Sequence, residues 1–145
     1  MKKKRYNYGT AILSAFEYLL KNYKESFIIG QGLWSPWYVG NSMTDLDKKF
    51  GKDRIIDTPV SESATTGATI GASLVGMKPI VVHPRMDFML YSMDAIVNQA
   101  AKWSHMFAGQ AGQDHRANGH RENAQRQLDQ PVRIIEPGHR TGFQQ

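Results

Sequence analysis

The chain of 145 residues contains no cysteine, which excludes a disulfide framework and any thiolate metal site and sets the expectation of a cytoplasmic protein. It also lacks an apolar stretch of membrane-spanning length. The opening MKKKR before AILSAF imitates a signal peptide, but Glu17 interrupts the apolar run and no small-residue cleavage site follows. A soluble chain with no membrane partner is therefore expected. Basic charge is scarce where nucleic acid would need it: Lys2, Lys3, Lys4 and Arg5 supply four of the +5 net charge. A nucleic-acid footprint requires basic residues gathered on a folded face, so no nucleic-acid partner is expected and the arm reads as a frayed, solubilising terminus. With 41% hydrophobic residues the chain can bury one ordinary core, which predicts a single globular domain.

What is present alternates helix and strand from Tyr6 to about Gly109. Ala11, Ile12, Ala15, Phe16, Leu19, Leu20 and Tyr23 recur at helical spacing, with Thr10 as the expected cap. A short apolar strand follows at 27–29, stopped by Gly30. Residues 31–41, rich in glycine and aromatics, read as a long loop, and Ser42 is expected to open a short helix to Phe50 that Gly51 ends. Residues 54–57 and 79–82 read as second and third strands around a helix. A last helix is predicted from about Phe88 to Trp103, burying Met89, Met93, Ile96, Val97 and Ala100. Strands of three or four residues joined by helical crossovers predict an α/β fold, a mostly parallel sheet with helices on both faces.

Beyond Gln110 the composition shifts to Gln, His, Arg, Asn and Gly, almost without apolar residues until Val132. Such a stretch buries too little to offset its ordering entropy, so a domain at 1–109 and an atypical, poorly ordered polar tail at 110–145 are expected, with 132–135 its one candidate strand. His115, His120 and His139 match no metal-ligand spacing and read as solvated histidines; no metal site is expected.

The stretch "TPVSESATTGATIGASLVG" carries one acid, Glu62, before a run of small residues. Thr58-Pro59 forces extended geometry before the proline, so the helix should start near Ser61, a cap candidate, with Glu62 in its first turn. There an acid gains about 0.3–1 kcal/mol from the positive end of the helix dipole, which by itself would account for it. Gly67 and Gly71 each cost up to about 1 kcal/mol relative to alanine. Close approach of another backbone is the reason expected for them, either within the domain or at a subunit interface.

Residues 50–81, "FGKDRIIDTPVSESATTGATIGASLVGMKPIV", resemble the pyrimidine-binding domain of thiamine-diphosphate enzymes, specifically the beta subunit of the decarboxylating component of 2-oxo acid (pyruvate or branched-chain type) dehydrogenase complexes. Glu62, then Gly67-Ala68 and Gly71-Ala72, follow the family's E-x-x-x-x-G-φ-x-x-G-φ signature, where φ is small or apolar. "RIIDTP" before it and "MDAIVNQAAK" after it extend the likeness over about residues 6–109. The resemblance implies that Glu62 binds the aminopyrimidine of thiamine diphosphate and, by favouring its imino tautomer, promotes the ylid needed for oxidative decarboxylation. That role implies partial burial and a raised pKa. It also implies that Phe88 lies against the aminopyrimidine ring, the alternative being an ordinary core residue. Gly67 and Gly71 would lie where subunits meet. The implied partners are an alpha subunit and a second beta subunit in a heterotetramer, together with the acyltransferase core of the complex.

Departures from the family pattern are equally specific. Gln31 stands where relatives often carry an acid after the first strand's glycine, and an amide cannot ionise. Val82 replaces a frequent glutamate on the third strand. After it, His83, Arg85 and Asp87 either line the substrate approach, at the sheet edge where open α/β folds place ligands, or form a solvated loop. Trp34, Trp37 and Tyr38 form either a partner-packing surface or a local cluster. The G-D-G motif that holds the diphosphate and magnesium in this family is absent; the resemblance places that ion on the alpha subunit. The expectation is a truncated beta subunit, inactive in isolation, with a non-catalytic interaction module as the alternative.

Overall fold

The computed structural model describes residues 7–108. The expectations for the basic arm at 2–5, for His115, His120 and His139, for the strand at 132–135 and for the tail at 110–145 lie outside the described residues.

The first helix, α1 (Tyr8–Asn22), begins one cap earlier than expected. Asn7, in extended conformation, accepts from the Thr10 backbone N–H at 2.8 Å, and the Thr10 hydroxyl accepts from the Asn7 N–H at 3.0 Å. Thr10 is thus the returning half of a capping box rather than the cap itself, and two otherwise orphaned donors are satisfied. Phe16 and Leu20 form the buried stripe of this helix.

Strand β1 (Ser26–Gln31) runs through Gly30 instead of stopping at it. A side chain at residue 30 would lie 2.5 Å from the Val82 carbonyl oxygen, so here glycine permits close strand pairing. Helix α2 (Leu46–Phe50) starts four residues after the expected Ser42, because residues 32–45 wind through turns and Asp45 takes a left-handed φ of 58°. Gly51 ends it as expected, with φ 88°. Strands β2 (Ile55–Thr58) and β3 (Lys78–Val82) follow within a residue of their expected bounds, and helix α3 (Glu62–Leu74) between them begins one residue after Ser61.

The three strands are parallel in the order β2-β1-β3, with Ile29 opposite both Ile56 and Val81. Strand side chains alternate between faces. Ile28, Ile55, Ile80 and Val82 pack with Phe16 and Leu20 of α1 and Leu46 of α2, and Leu33, Tyr38 and Met43 of the long loop complete that core. Phe27, Ile29 and Val81 form a smaller core on the opposite face with Ile56 and with Ala72 of α3. Helices therefore cover both faces, as the composition of the strands predicts.

The expected helix at 88–103 is present as a right-handed helical run, but its winding is not uniform. Helix α4 (Met86–Met89) passes into a 3-10 turn (Leu90–Ser92), then into a π-helical segment (Ala95–Ala100), and α5 (Trp103–Met106) is the last element among the described residues. Only Ser92 and Ala95 of residues 86–106 are buried. Met93 is 38% and Val97 43% exposed, against the expectation that both are core.

Candidate functional site

The alternation that buries Phe27 and Ile29 under α3 also brings Gln31, the last residue of β1, to that face. Ile56 and Thr58 on β2, and Val81 and His83 at the end of β3, follow the same rule. Gln31 pairs in register with Thr58, and His83 lies one residue past the Gly30–Val82 pair. A polar row, Thr58–Gln31–His83, thus crosses the carboxyl edge of the sheet where its apolar interior ends. That edge is where parallel α/β sheets place their ligands.

Glu62 sits above this row in the first turn of α3. Its residue is 9% exposed, and Gln31 Nε2 donates to its Oε1 at 2.9 Å. The turn is anchored from the other side by Ser92, fully buried, whose hydroxyl donates to the Glu62 carbonyl at 3.0 Å and accepts from Thr66 Oγ1 at 2.8 Å. Ser61 precedes the helix as expected, but its side chain makes no capping bond.

These contacts reverse one expectation. Donation from Gln31, then from the backbone N–H, holds the Glu62 carboxyl below the ordinary carboxylate value, and the nearby His83 imidazole adds to the effect. Burial pushes the other way and is outweighed. Hydrogen bonds made to the charged form dominate here, so the group is an ionised acceptor at neutral pH. His83 itself is 3% exposed, which excludes the solvated-loop alternative for that residue. Arg85 and Asp87 are exposed, and the Arg85 guanidinium lies 5.5 Å over the ring of Phe88. Phe88, half-buried on α4, belongs to the segment that Ser92 ties to Glu62.

The profile of the family described as "Transketolase, pyrimidine binding domain" matches residues 4–128. The chain belongs to that family. Over 59 residues it is 54% identical to acetoin:2,6-dichlorophenolindophenol oxidoreductase subunit beta of Cupriavidus necator, covering 41% of this chain and 18% of that protein. Mitochondrial pyruvate dehydrogenase E1 component subunit beta of Pisum sativum is 32% identical over 100 residues, 69% of this chain and 28% of that one. 2-Oxoisovalerate dehydrogenase subunit beta of Bacillus subtilis is 32% identical over 96 residues, 66% and 29% of the two chains. The pyrimidine-binding-domain chain therefore spans under a third of the length of these relatives, and it resembles the beta subunits of dehydrogenases and an oxidoreductase.

Within this family domain, the structure brings Glu62 and His83 together at the sheet edge and leaves Arg85 at the surface. Gly67 and Gly71 lie on the other side of α3. A Cβ built on either meets nothing within 4 Å among the described residues, so packing inside the described domain does not account for them. The aromatic loop divides three ways. Tyr38 enters the core, Trp34 donates through Nε1 to the Ile55 carbonyl at 2.8 Å beneath Lys52, and Trp37 stands 81% exposed.

Reading the sequence missed Thr58 and Ser92 altogether and took Gln31 only as a lost acid. The period-two pattern Phe27, Ile29, Gln31 carried the signal for the last of these. Ser92 gave none, because its bonds depend on where two helical segments meet.

Proposed function

We propose that this domain is the pyrimidine-binding part of a thiamine-diphosphate-dependent 2-oxo acid dehydrogenase beta subunit acting in the cytoplasm, with Glu62 as its cofactor-facing acid. The observation that carries the proposal is the carboxylate of a residue only 9% exposed, hydrogen-bonded to Gln31 at the carboxyl edge of a parallel sheet in a chain of the pyrimidine-binding family. The donor set suits the group. A carboxylate is acceptor-only when ionised and complements a ring N–H, and the half-buried Phe88 offers an apolar ring face.

Thiamine diphosphate, when bound, supplies a nucleophilic carbon that adds to the carbonyl of a 2-oxo acid. Glu62 would accept a hydrogen bond from the ring nitrogen of the aminopyrimidine and, being ionised, would keep the shared proton on the nitrogen side. Its neighbours Gln31 and Ser92 fix where that oxygen stands, so little reorganisation is needed when charge develops. Phe88 would pack the ring, and the sheet face beneath excludes water. His83 would border the substrate approach with Arg85 at its outer rim. The diphosphate and its magnesium would be held by an alpha subunit, with the small-residue face of α3, at Gly67 and Gly71, against another subunit of a heterotetramer. The acyltransferase core would be the assembly's further partner.

The test is a chimeric beta subunit in which residues 7–108 replace the matching segment of the 2-oxoisovalerate dehydrogenase beta subunit, assembled with its alpha subunit. Glu62→Gln in that assembly should lower kcat by about 100-fold or more, the scale of losing a positioned acid–base group. Unchanged turnover would show instead a domain whose role is only structural.

A further inference from the structure

We infer that Gln31 is a positioning residue: from the carboxyl end of the central strand, its amide fixes both the orientation and the charge state of the Glu62 carboxylate. The inference rests on the functional reading above, and it assigns a role to a side chain that the reading of Glu62 alone does not require.

Geometry supports it first. Gln31 ends β1 in register with Thr58 of β2 and one residue past the Gly30–Val82 pair with β3, so its backbone is held at the end of the central strand. Its Nε2 reaches Glu62 Oε1 at 2.9 Å across 31 residues of sequence, joining the sheet to the first turn of α3. Ser92 holds the backbone of the same residue from the opposite side. Glu62 is thereby clamped at its carboxyl group by the sheet and at its carbonyl by the segment that carries Phe88.

Chemistry supplies the second part. The amide NH2 can only donate, and it remains neutral at every working pH, so its contact always favours the ionised form of the acid it touches. An acid at position 31 would do the opposite. Two carboxyl groups at hydrogen-bond distance cannot both be charged, and one would retain a proton. The other groups around Glu62 do not cancel the effect. Thr58 from β2 and Ser92 from the segment after β3 are uncharged, and His83 from the end of β3 acts in the same direction as Gln31. Arg85 is turned over Phe88 at the surface.

The experiment is an NMR pH titration of the Glu62 side-chain carboxyl carbon in the purified full chain, without cofactor, assigned with Glu62→Gln. In the unmodified chain the midpoint should lie below the ordinary glutamate value. Gln31→Met, which keeps the length of the side chain and removes the donor, should move it upward, and Gln31→Glu should move it further still. A midpoint at or above the ordinary value in the unmodified chain overturns the inference even if neither variant folds, as does a midpoint unmoved by Gln31→Met. In the assembled chimera, Gln31→Met should shift the acid limb of the kcat pH profile upward, and an unmoved limb would count against the role. Failure here leaves the Glu62→Gln turnover test intact, so the two readings fall separately.

Discussion

Arg54 lies just before β2, yet its guanidinium serves the end of α1. It donates to the Leu20 and Tyr23 carbonyls at 2.8 Å each and to the Ser26 carbonyl at 2.7 Å, satisfying acceptors that a helix end leaves open. Only a planar, five-donor fork spans three carbonyls at once. Arg54→Lys should therefore cost about 1–2 kcal/mol and Arg54→Ala about 3 kcal/mol by loss of charge-assisted bonds. Urea unfolding would measure both, and a lysine variant as stable as the parent would show that the fork contributes nothing. Glu62 makes a prediction of the other kind, in pH. Its carboxyl is held below the ordinary value in the folded chain, while the unfolded value is about 4.3. Its favourable contribution is thus complete above that unfolded value and is lost as pH falls through the lower folded one. The stability gap between the parent and Glu62→Gln should shrink on acidification; equal gaps in urea midpoints at neutral and acid pH would contradict the hydrogen-bonded geometry. At this scale the sequence displayed Glu62 openly, as a lone acid behind a proline break. The direction of its pKa was not legible, because it depends on a donor 31 positions away.

Elements were more legible than their ends. Each strand was visible as a short apolar run with turn residues around it, and α1 and α3 showed in the spacing of their buried faces. The misses came where a specific contact, local or distant, overrides the spacing of apolar residues. Asn7 took the cap because Thr10 could bond back to it. Gly30 extended a strand because Val82 comes close on one side. Residues 88–103 stayed helical but not uniformly wound, and Ser92 is drawn in to Glu62 and Thr66 while Met93 and Val97 turn outward. The glycines separate two kinds of close approach, and alanine scanning should tell them apart. Gly30→Ala would place a Cβ 2.5 Å from the Val82 carbonyl oxygen, so a strand must shift, at about 1–3 kcal/mol. Gly67→Ala and Gly71→Ala meet open space and remove a helix-weakening residue, so each should stabilise the isolated chain by up to about 1 kcal/mol. If that face of α3 receives a subunit, the same two variants should weaken assembly with the alpha and beta partners in sedimentation experiments. Stabilisation with undiminished assembly would leave the glycines without the proposed interface role.

Large apolar side chains stand exposed beside α3 and along the segment after β3. Val60 and Val75 flank α3 at 79% and 56% exposure, and Met86, Leu90, Tyr91, Met106 and Phe107 are each more than half exposed along the segment after β3. Large contiguous apolar patches mark surfaces that another chain covers. The proposed cofactor role points the same way. On that reading Glu62 would engage a ring nitrogen, while the given sequence carries no G-D-G stretch for the diphosphate and its metal, so the charged end of the ligand would need residues of another chain. Most of the affinity for such a ligand comes from its charged end, where oxygen and metal contacts are strong. Calorimetry of the purified chain with thiamine diphosphate and magnesium should accordingly show no micromolar binding, and adding an alpha subunit from a 2-oxoisovalerate dehydrogenase should restore it. A partner present at 100 times its Kd adds about 2.7 kcal/mol to the folded state, so the same mixture should unfold at a higher temperature. Micromolar binding by the chain alone would mean that its own residues hold the diphosphate. An unchanged melting temperature at saturating alpha subunit would mean that the exposed face after β3 and the thin face of α3 are not where that subunit docks.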